Sequence, residues 1–377
     1  MSDSSPLSTL AELALVLGRA LLHEGQAEVA CTGTTPDWAQ ALQRLMYTVA
    51  VVALAEHRGL LPDPQGSAQA RERYATSWAL KRLEEQHPTD GAGARLWGLV
   101  AALEEGSEDY AVPRLGSGIW SGVAVELEAL AQVPDAQVAR CVGAVRGALE
   151  ADGWTFGWLG ESHARWLEQR LVVRTGGTLV WVSAPGRKIT GSYYSPSVVV
   201  ESLLDTALEP VLDEAMAATD PEAALLALTI CDPACGTGRF LVAASHRVAQ
   251  RLVRVREQRG ASPKEVAGAY REVVLRCVYG VDLHPWTVEL CRVALWLEVS
   301  EPGWSPSTLG RHVRCGNGLL GATPALMAEG VPDRAFIRED GTSDEKATAL
   351  QVRRRNRAGR RLGSGDRSRD RAGAVRA

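Results

Sequence analysis

Apolar residues recur at helical spacing through the first part of the chain. Leu42, Leu45, Val49 and Val52 lie three or four positions apart in a stretch rich in alanine and leucine, a spacing that places them on one face of a helix. Proline and glycine interrupt this pattern at residues 32–36, 62–66, 88–93 and 113–118,. The pattern predicts a helical N-terminal domain over residues 1–168, and a scaffold or interaction module is its simplest interpretation.

The pattern changes near Arg170. Two β-prone runs, residues 171–174 and 178–182, flank Gly176-Gly177, which predicts a hairpin. A helical pattern follows over residues 198–217.

A β-like run at residues 226–231 then leads into a glycine-containing segment, residues 232–241, and a helical pattern over residues 242–258. The order is therefore strand, glycine loop, helix.

A second strand and two more helices are predicted downstream. Ser262, Pro263 and Glu265 form a capping-box pattern,, which predicts a helix to about residue 276. The apolar run at residues 277–281 ends on Asp282, and an amphipathic helix is predicted from Pro285 through Leu297. Strands that alternate with helices in this way predict an α/β domain with a doubly wound, largely parallel, Rossmann-like sheet.

Composition places the chain among soluble globular proteins. The 377 residues are 46% hydrophobic and 23% charged, values that suit two or three ordinary domains. No apolar run is long enough to cross a bilayer, and no secretory leader precedes the first helical pattern. The seven cysteines contain no Cys-x-x-Cys pair, which favours reduced thiols over disulfides or zinc. These features predict a cytoplasmic protein without a membrane partner or a metal.

The glycine loop between a strand and a helix indicates a ligand site. Gly236 and Gly238 allow backbone N–H groups to approach a ligand closely, but no third glycine stands at dinucleotide spacing. Asp232 at the strand end would repel a pyrophosphate and would hold a cationic ligand. S-adenosylmethionine carries an ammonium and a sulfonium, so this loop favours it over NAD.

Segment 232–241, Asp-Pro-Ala-Cys-Gly-Thr-Gly-Arg-Phe-Leu, closely resembles the S-adenosylmethionine-binding motif of DNA adenine-N6 methyltransferases. Three further segments fit that family in order: residues 186–196, Val-Tyr-Gly-Val-Asp at 278–282, and Cys-Gly-Asn-Gly-Leu-Leu-Gly at 315–321. Together they resemble the class that includes type I modification subunits and fused restriction-methylases.

The resemblance implies a role for each matching residue. Asp232, Ala234, Gly236 and Gly238 would hold the methionine end of the cofactor, and Asp282 would accept the ribose hydroxyls. The remaining cofactor residues would be Tyr194 and Ser195, flanking the cofactor, and Asn317, contacting its adenine.

Two of these matches allow other interpretations. Asp282 could instead cap the helix that Pro285 opens, and Tyr194 could be an aromatic residue at a β-edge. Ser195 stands where the family usually has threonine, which keeps the hydroxyl. Asp232 and Asp282 are 50 residues apart, which is longer than in a minimal βαβ unit. The extra helix from Pro263 would account for the excess.

The family's catalytic tetrapeptide, Asn or Asp followed by Pro-Pro and an aromatic residue, does not occur in the sequence. Methylation of adenine needs such a segment to bind the base that is flipped out of the DNA duplex. No catalytic residue can therefore be assigned. The resemblance therefore predicts an adenine-N6 DNA methyltransferase of a restriction-modification or phage-defence system, truncated before its catalytic motif. Residues 169–322 would be a partial cofactor domain, and residues 323–377 an insert remnant with a basic, disordered tail.

Two alternatives remain. The chain could be a non-catalytic subunit that binds S-adenosylmethionine or DNA and is completed by a second polypeptide. It could also be related to methyltransferases that act on RNA or on protein glutamine, which use a similar cofactor motif.

The formal charge of −4 is unevenly distributed. Residues 353–377 hold ten arginines and two aspartates, so the preceding 352 residues carry −12. The basic segment could neutralise phosphates of double-stranded DNA, or it could be an out-of-frame end without a selected role.

Overall fold

The structure, a computed structural model, is mixed α/β and mostly helical with two small sheets. It describes residues 14–15, 17–19, 38–85, 91–120, 133–174, 178–184, 195–299 and 303–318. These residues belong to one compact unit that ends at Gly318. Tyr194 and the predicted tail lie outside the described residues, and the predicted domain boundary near residue 168 stays a prediction.

The first part of the chain forms helices, as its apolar spacing predicts. They are α1 (Trp38–His57), α2 (Ala68–Ser77), α3 (Leu80–Glu85), α4 (Ala92–Glu105), α5 (Asp135–Ala151) and α6 (Gly157–Trp166). No described helix is both long and apolar enough to span a lipid bilayer.

The predicted hairpin is confirmed. Strands β1 (Gln169–Arg174) and β2 (Thr178–Ser183) pair antiparallel, with Val172 opposite Val180.

The described residues of the second part of the chain form seven α-helices, one 3-10 helix (Pro306–Arg311) and three strands. They are α7 (Ser197–Ala207), α8 (Glu209–Met216), α9 (Pro221–Leu226), β3 (Ile230–Asp232), α10 (Arg239–Gln258), α11 (Pro263–Ala267), α12 (Ala269–Cys277), β4 (Val278–Asp282), α13 (Pro285–Val299) and β5 (Val313–Cys315). The predicted order of strand, glycine loop, helix and strand is confirmed.

Several predicted boundaries are wrong, for local reasons. Residues 226–229 are not part of a strand, because Asp220 accepts a hydrogen bond from the Ala223 amide and Pro221 occupies the first turn of α9,. The predicted helix over residues 198–217 divides at Leu208, where Pro210 begins a new first turn. The capping box at Ser262 is present, but its helix ends before Gly268, where α12 begins.

Strands β3, β4 and β5 form a parallel sheet in that order. The register places Asp232 beside Gly280, and Asp282 beside Cys315. The carboxyl ends of all three strands therefore meet at one edge of the sheet.

Helix α13 takes part in two hydrophobic cores. Leu290, Val293, Trp296 and Leu297 pack in the first core, with the N-terminal helices and the hairpin. The opposite side of the helix packs in the second core, with helices α7 to α10, helix α12 and the parallel sheet; its residues are Val288, Cys291, Leu295 and Val299. A helix that is apolar all round is buried on both sides, and α13 thereby joins the N-terminal helices to the sheet.

Candidate functional site

The loop between β3 and α10 depends on its two glycines. Gly236 has φ of +52° and Gly238 has φ of +91°, backbone conformations that side chains disfavour. A Cβ atom on Gly238 would lie 2.7 Å from the Cys291 Sγ atom, whereas the Cβ position of Gly236 has no heavy atom within 4 Å. The loop is therefore packed against α13 at Gly238 and open at Gly236, where a ligand can approach the backbone.

Two backbone hydrogen bonds fix the loop. The Cys235 amide donates to the Val281 carbonyl at 2.9 Å, and the Gly238 amide donates to the Cys235 carbonyl at 2.8 Å. The first bond joins the loop to β4, so the loop and the end of the neighbouring strand form one structural unit.

The Asp282 carboxylate lies at the centre of this unit. Its Oδ2 atom accepts from the Gly236 amide at 3.0 Å, and its Oδ1 atom accepts from the His284 amide at 2.9 Å and the Thr287 hydroxyl at 2.6 Å. The His284 bond forms a turn just before α13 and the Thr287 bond joins two side chains, so neither is the backbone N–H bond of a helix N-cap that the alternative interpretation expects,. The bond from Gly236 is additional, and it brings the carboxylate against the glycine loop.

Asp232 adds a second carboxylate near the first. Its Oδ1 atom accepts from the Ala234 amide at 3.0 Å. Burial raises the pKa of Asp232 above its ordinary value, the Ala234 hydrogen bond opposes this, and the nearby Asp282 charge raises the pKa further,. Two neighbouring carboxylates make this edge of the sheet acidic, which suits a ligand with cationic or hydroxyl groups.

The segment after β5 packs over the loop. The Gly316 amide donates to the Asp282 carbonyl at 2.9 Å. A Cβ atom on Gly318 would lie 2.6 Å from the Pro233 carbonyl oxygen, so only glycine fits there. Asn317 stands between these two contacts, and the structure thus brings it to the same edge as Asp232 and Asp282.

The upstream cofactor segment is described only from Ser195, which is half-buried just before α7. Tyr194 lies outside the described residues. A cavity of about 560 Å³ is lined by Ser197 and Val200 of α7 and by Thr237 and Arg239 from the glycine loop and the start of α10. The beginning of α7 therefore reaches the glycine loop, but no described contact joins Ser195 itself to it.

Ion pairs hold α7 and α8 against α10. Arg247 pairs with Glu201, Asp205 and Glu209, and Arg251 pairs with Glu209 and Asp213. A network of this kind stabilises more than isolated surface pairs do, and it orients the start of α7 toward the loop.

Three polar residues near Asp282 were not predicted from the sequence. Thr287 is in the first turn of α13, and its distance of five residues from Asp282 is a signal that a capping analysis could have used. His163 of α6 is buried, and its Nδ1 atom lies 2.9 Å from the Tyr47 hydroxyl. Only the tertiary structure brings His163 near His284, with ring centroids 6.2 Å apart.

Burial, together with the neighbouring His284 and against the opposing effect of Asp282, lowers the pKa of His163 to about 4. His163 is therefore neutral at pH 7. This residue of α6 thus adds no positive charge beside the acidic edge of the sheet.

Comparisons with known proteins give a family-model match, a curated relative and a similar solved structure. Residues 213–301 match the family model described as the DNA-methyltransferase domain of MmeI. A curated protein of Methanocaldococcus jannaschii, named as a type II restriction enzyme and methyltransferase, is 25% identical over 181 residues. That match covers 36% of this chain and 15% of the relative, so the chain spans a small part of the relative's length.

A solved structure of the Type IIL restriction-modification enzyme MmeI in complex with DNA is similar over 82% of this chain and 40% of its own. The sequence identity is 15% and the TM-score is 0.36. A likeness at this level does not establish a shared fold.

Proposed function

We propose that this chain, a restriction-modification methyltransferase-like protein, binds S-adenosylmethionine at the carboxyl ends of β3, β4 and β5. The observation that carries the proposal is the contact between the Asp282 carboxylate and the Gly236 amide, 3.0 Å long, inside a loop whose glycines have positive φ. In open α/β sheets, ligands bind at this edge of the strands.

The residues at this edge fit the groups of the cofactor. Beyond its three hydrogen bonds Asp282 retains about one acceptor site, on Oδ2, which can accept from a ribose hydroxyl. Asp232 and the open backbone at Gly236 suit the ammonium and carboxylate of the methionine end,. Asn317 and Ser195 would contact the adenine and the methionine portion. When bound, the cofactor supplies an electrophilic methyl group.

We propose further that the methyl acceptor is the N6 amino group of adenine in double-stranded DNA, in a site-specific restriction-modification or phage-defence system. Such a reaction would take place in the cytoplasm. The 377 residues contain no Asn- or Asp-Pro-Pro-aromatic segment, so we assign no residue of this sequence to the flipped base.

Calorimetric titration tests the cofactor site. We expect S-adenosylmethionine to bind the isolated chain and NAD not to bind. The Asp282→Asn variant should weaken binding about 10- to 100-fold, because it removes charge-assisted hydrogen bonds worth about 1.5–3 kcal/mol. Asp109→Asn is the matched control, because the Asp109 side chain is 82% exposed and pairs only with Arg73 at the surface.

A methyl-transfer assay tests the second half of the proposal. The isolated chain should leave unmethylated DNA unchanged even with saturating cofactor. Absence of cofactor binding would refute the site, and turnover by this chain alone would refute the proposal that this sequence lacks the groups that bind the flipped base.

A further inference from the structure

Two histidine nitrogens beside the candidate site are buried and have no hydrogen-bond partner within the described part of the chain. They are the Nε2 atom of His163 and the Nδ1 atom of His284. The two rings are 6.2 Å apart between centroids, with their planes at 69°. A buried polar group that stays unpaired is costly, and most such groups in proteins are paired. Two orphaned nitrogens on neighbouring rings therefore point to a specific hydrogen-bonding arrangement.

Hydrogen bonds from α1 decide which nitrogen of His163 carries the ring hydrogen. The Gln43 amide donates to the Tyr47 hydroxyl at 2.8 Å, and this hydroxyl lies 2.9 Å from the His163 Nδ1 atom. Because the hydroxyl already accepts from Gln43, its own hydrogen is free to be donated to Nδ1. His163 is neutral at pH 7, since its pKa is about 4. Its single ring hydrogen is therefore on Nε2, the orphaned nitrogen.

This donor on His163 selects the tautomer of His284 in turn. An N–H group beside the orphaned Nδ1 atom of His284 favours an unprotonated Nδ1, which can accept directly or through one water molecule. Hydrogens on both nitrogens would instead bring two buried donors together. In the neutral ring of His284 the hydrogen is thus on Nε2. Since Nδ1 is the buried nitrogen of a half-buried residue, Nε2 lies on the exposed side of the ring.

The ribose of the proposed cofactor needs a donor at this position. Asp282 keeps about one acceptor site beyond its three hydrogen bonds,, so it can accept from one ribose hydroxyl and the second hydroxyl needs another partner. A hydroxyl oxygen is itself an acceptor, and a carboxylate cannot donate to it. The His284 amide donates to the Asp282 Oδ1 atom at 2.9 Å. His284 therefore stands directly beside the carboxylate at which the ribose would bind.

We infer that the His284 Nε2–H group donates to a ribose hydroxyl of the cofactor, and that the hydrogen-bonded chain ending at His163 positions this donor. The inference rests on the proposed function, because it adds a binding residue to the same cofactor site. Tyr47 and His163 do not contact the cofactor and act as positioning residues. The N-terminal helices thereby take part in selecting a ribose over a deoxyribose.

Nitrogen NMR of the free chain tests the tautomer of His284. The full chain is labelled with nitrogen-15 in its seven histidines, and the His284 signals are those lost in His284→Phe. In the wild type at pH 8, the hydrogen of His284 should be on Nε2. Tyr47→Phe keeps the ring packed against Trp286 but frees His163, so part of His284 should change to the Nδ1–H tautomer. Tyr74→Phe, at another buried tyrosine of the first core, is the matched control and should leave the His284 signals unchanged.

Calorimetry with S-adenosylmethionine and its 2′-deoxy and 3′-deoxy analogues tests the ribose contact. His284→Phe keeps an aromatic ring and removes the donor, so cofactor affinity should fall about 3- to 10-fold. The wild type should lose a similar factor with each analogue. In His284→Phe, one analogue should bind as well as S-adenosylmethionine, because the hydroxyl that it lacks has no partner left. His57→Phe, at an exposed histidine stacked on Trp154, is the matched control and should bind all three ligands like the wild type.

Two further measurements keep the test independent of protein stability. Circular dichroism checks that each variant folds. In the wild type itself, S-adenosylmethionine should shift the Nε2 signal of His284, and one of the two deoxy analogues should not.

A hydrogen on Nδ1 of His284 in the wild-type chain would overturn the inference. Equal losses with both analogues in the wild type and in His284→Phe would also overturn it, but would leave the cofactor site intact. Failure of the wild type to bind S-adenosylmethionine would refute the proposed function and the ribose contact with it. The NMR spectrum of the free chain would still show whether Tyr47 and His163 set the tautomer of His284, so the two failures are distinguishable.

Discussion

The two hydrophobic cores of this chain differ in how they treat polar groups. The first core, built from the N-terminal helices and the hairpin, buries Tyr47, Tyr74 and His163 completely or nearly so. The second core buries a charged group, Arg256, which pairs with Glu222 and Glu272, and two of its carboxylates, Asp232 and Asp282, lie at the strand ends. The first core thus buries neutral polar side chains, whereas the second buries a paired arginine and keeps two carboxylates at the edge of the sheet.

Helix α13 makes these two cores interdependent. Its residues alternate between them, and Thr287 and Cys291 of the same helix contact the cofactor loop or its carboxylate. A change in the packing of the first core should therefore also alter the geometry of the candidate site.

The largest effect is expected for Trp296→Ala. Trp296 is 1% exposed, packs in the first core, and donates through its Nε1 atom to the Trp304 carbonyl at 2.8 Å. Truncation of a buried tryptophan costs about 3–5 kcal/mol. Urea unfolding followed by circular dichroism should show this loss in a single transition. Two separate transitions would show that the cores are independent.

Glu56 should make the stability of the first core depend on pH. Burial raises its pKa from 4.5 to about 7, against the opposing effects of hydrogen bonds from the Tyr74 hydroxyl and the Leu80 amide and of the Arg146 charge. The folded state thus retains a proton that the unfolded state releases, so stability falls as the pH rises from 4.5 through 7. The loss is about 3 kcal/mol for a shift of this size.

Urea unfolding at pH 5 and pH 8 measures this difference. The Glu56→Gln variant should abolish most of it, because the amide oxygen can accept both hydrogen bonds without carrying charge. Glu85→Gln, at an exposed ion pair with Lys81, is the control and should leave the pH dependence unchanged. An unaltered pH dependence in Glu56→Gln would contradict the assignment.

Gly238→Ala should weaken cofactor binding more than it weakens the fold. The new methyl group would meet the Cys291 Sγ atom at 2.7 Å, at a φ of +91°, so the loop must move or α13 must shift. We expect at least tenfold weaker S-adenosylmethionine binding, with destabilisation of about 1–3 kcal/mol.

Gly260→Ala is the matched control for this change. Gly260 also has positive φ, +73°, but its Cβ position has nothing within 4 Å. It should show backbone strain of about 1 kcal/mol and unchanged cofactor affinity. If both variants bind the cofactor equally well, the close packing of the loop on α13 does not matter for binding.

The smallest effect is expected at Thr287, which supports Asp282 from α13. Thr287→Val keeps the shape of this buried side chain but removes the 2.6 Å hydrogen bond to the Asp282 Oδ1 atom. Cofactor affinity should fall about 3- to 10-fold, the equivalent of one modest hydrogen bond. Thr287→Ser keeps the hydroxyl and should bind like the wild type. A similar loss in both variants would indicate a packing effect instead.

Local patterns in the sequence predicted the parts of the fold that depend on neighbouring residues. The hairpin follows from two β-prone runs around Gly176-Gly177, and the capping box at Ser262 follows from three side chains within one turn. The strand predicted at residues 226–231 exists but begins only at Ile230, because leucine and alanine suit a buried helix as well as a strand, and the cap at Asp220 extends a helix to Leu226.

For the candidate site, the sequence alone identified the glycine loop and both aspartates, because strand ends and glycines are local features with local causes. It could not show that the Asp282 carboxylate contacts the Gly236 amide, since that bond joins residues 46 positions apart. Nor could it place His163 beside His284. Those facts depend on strand order, register and helix packing, which long-range contacts determine and which only the tertiary structure decides.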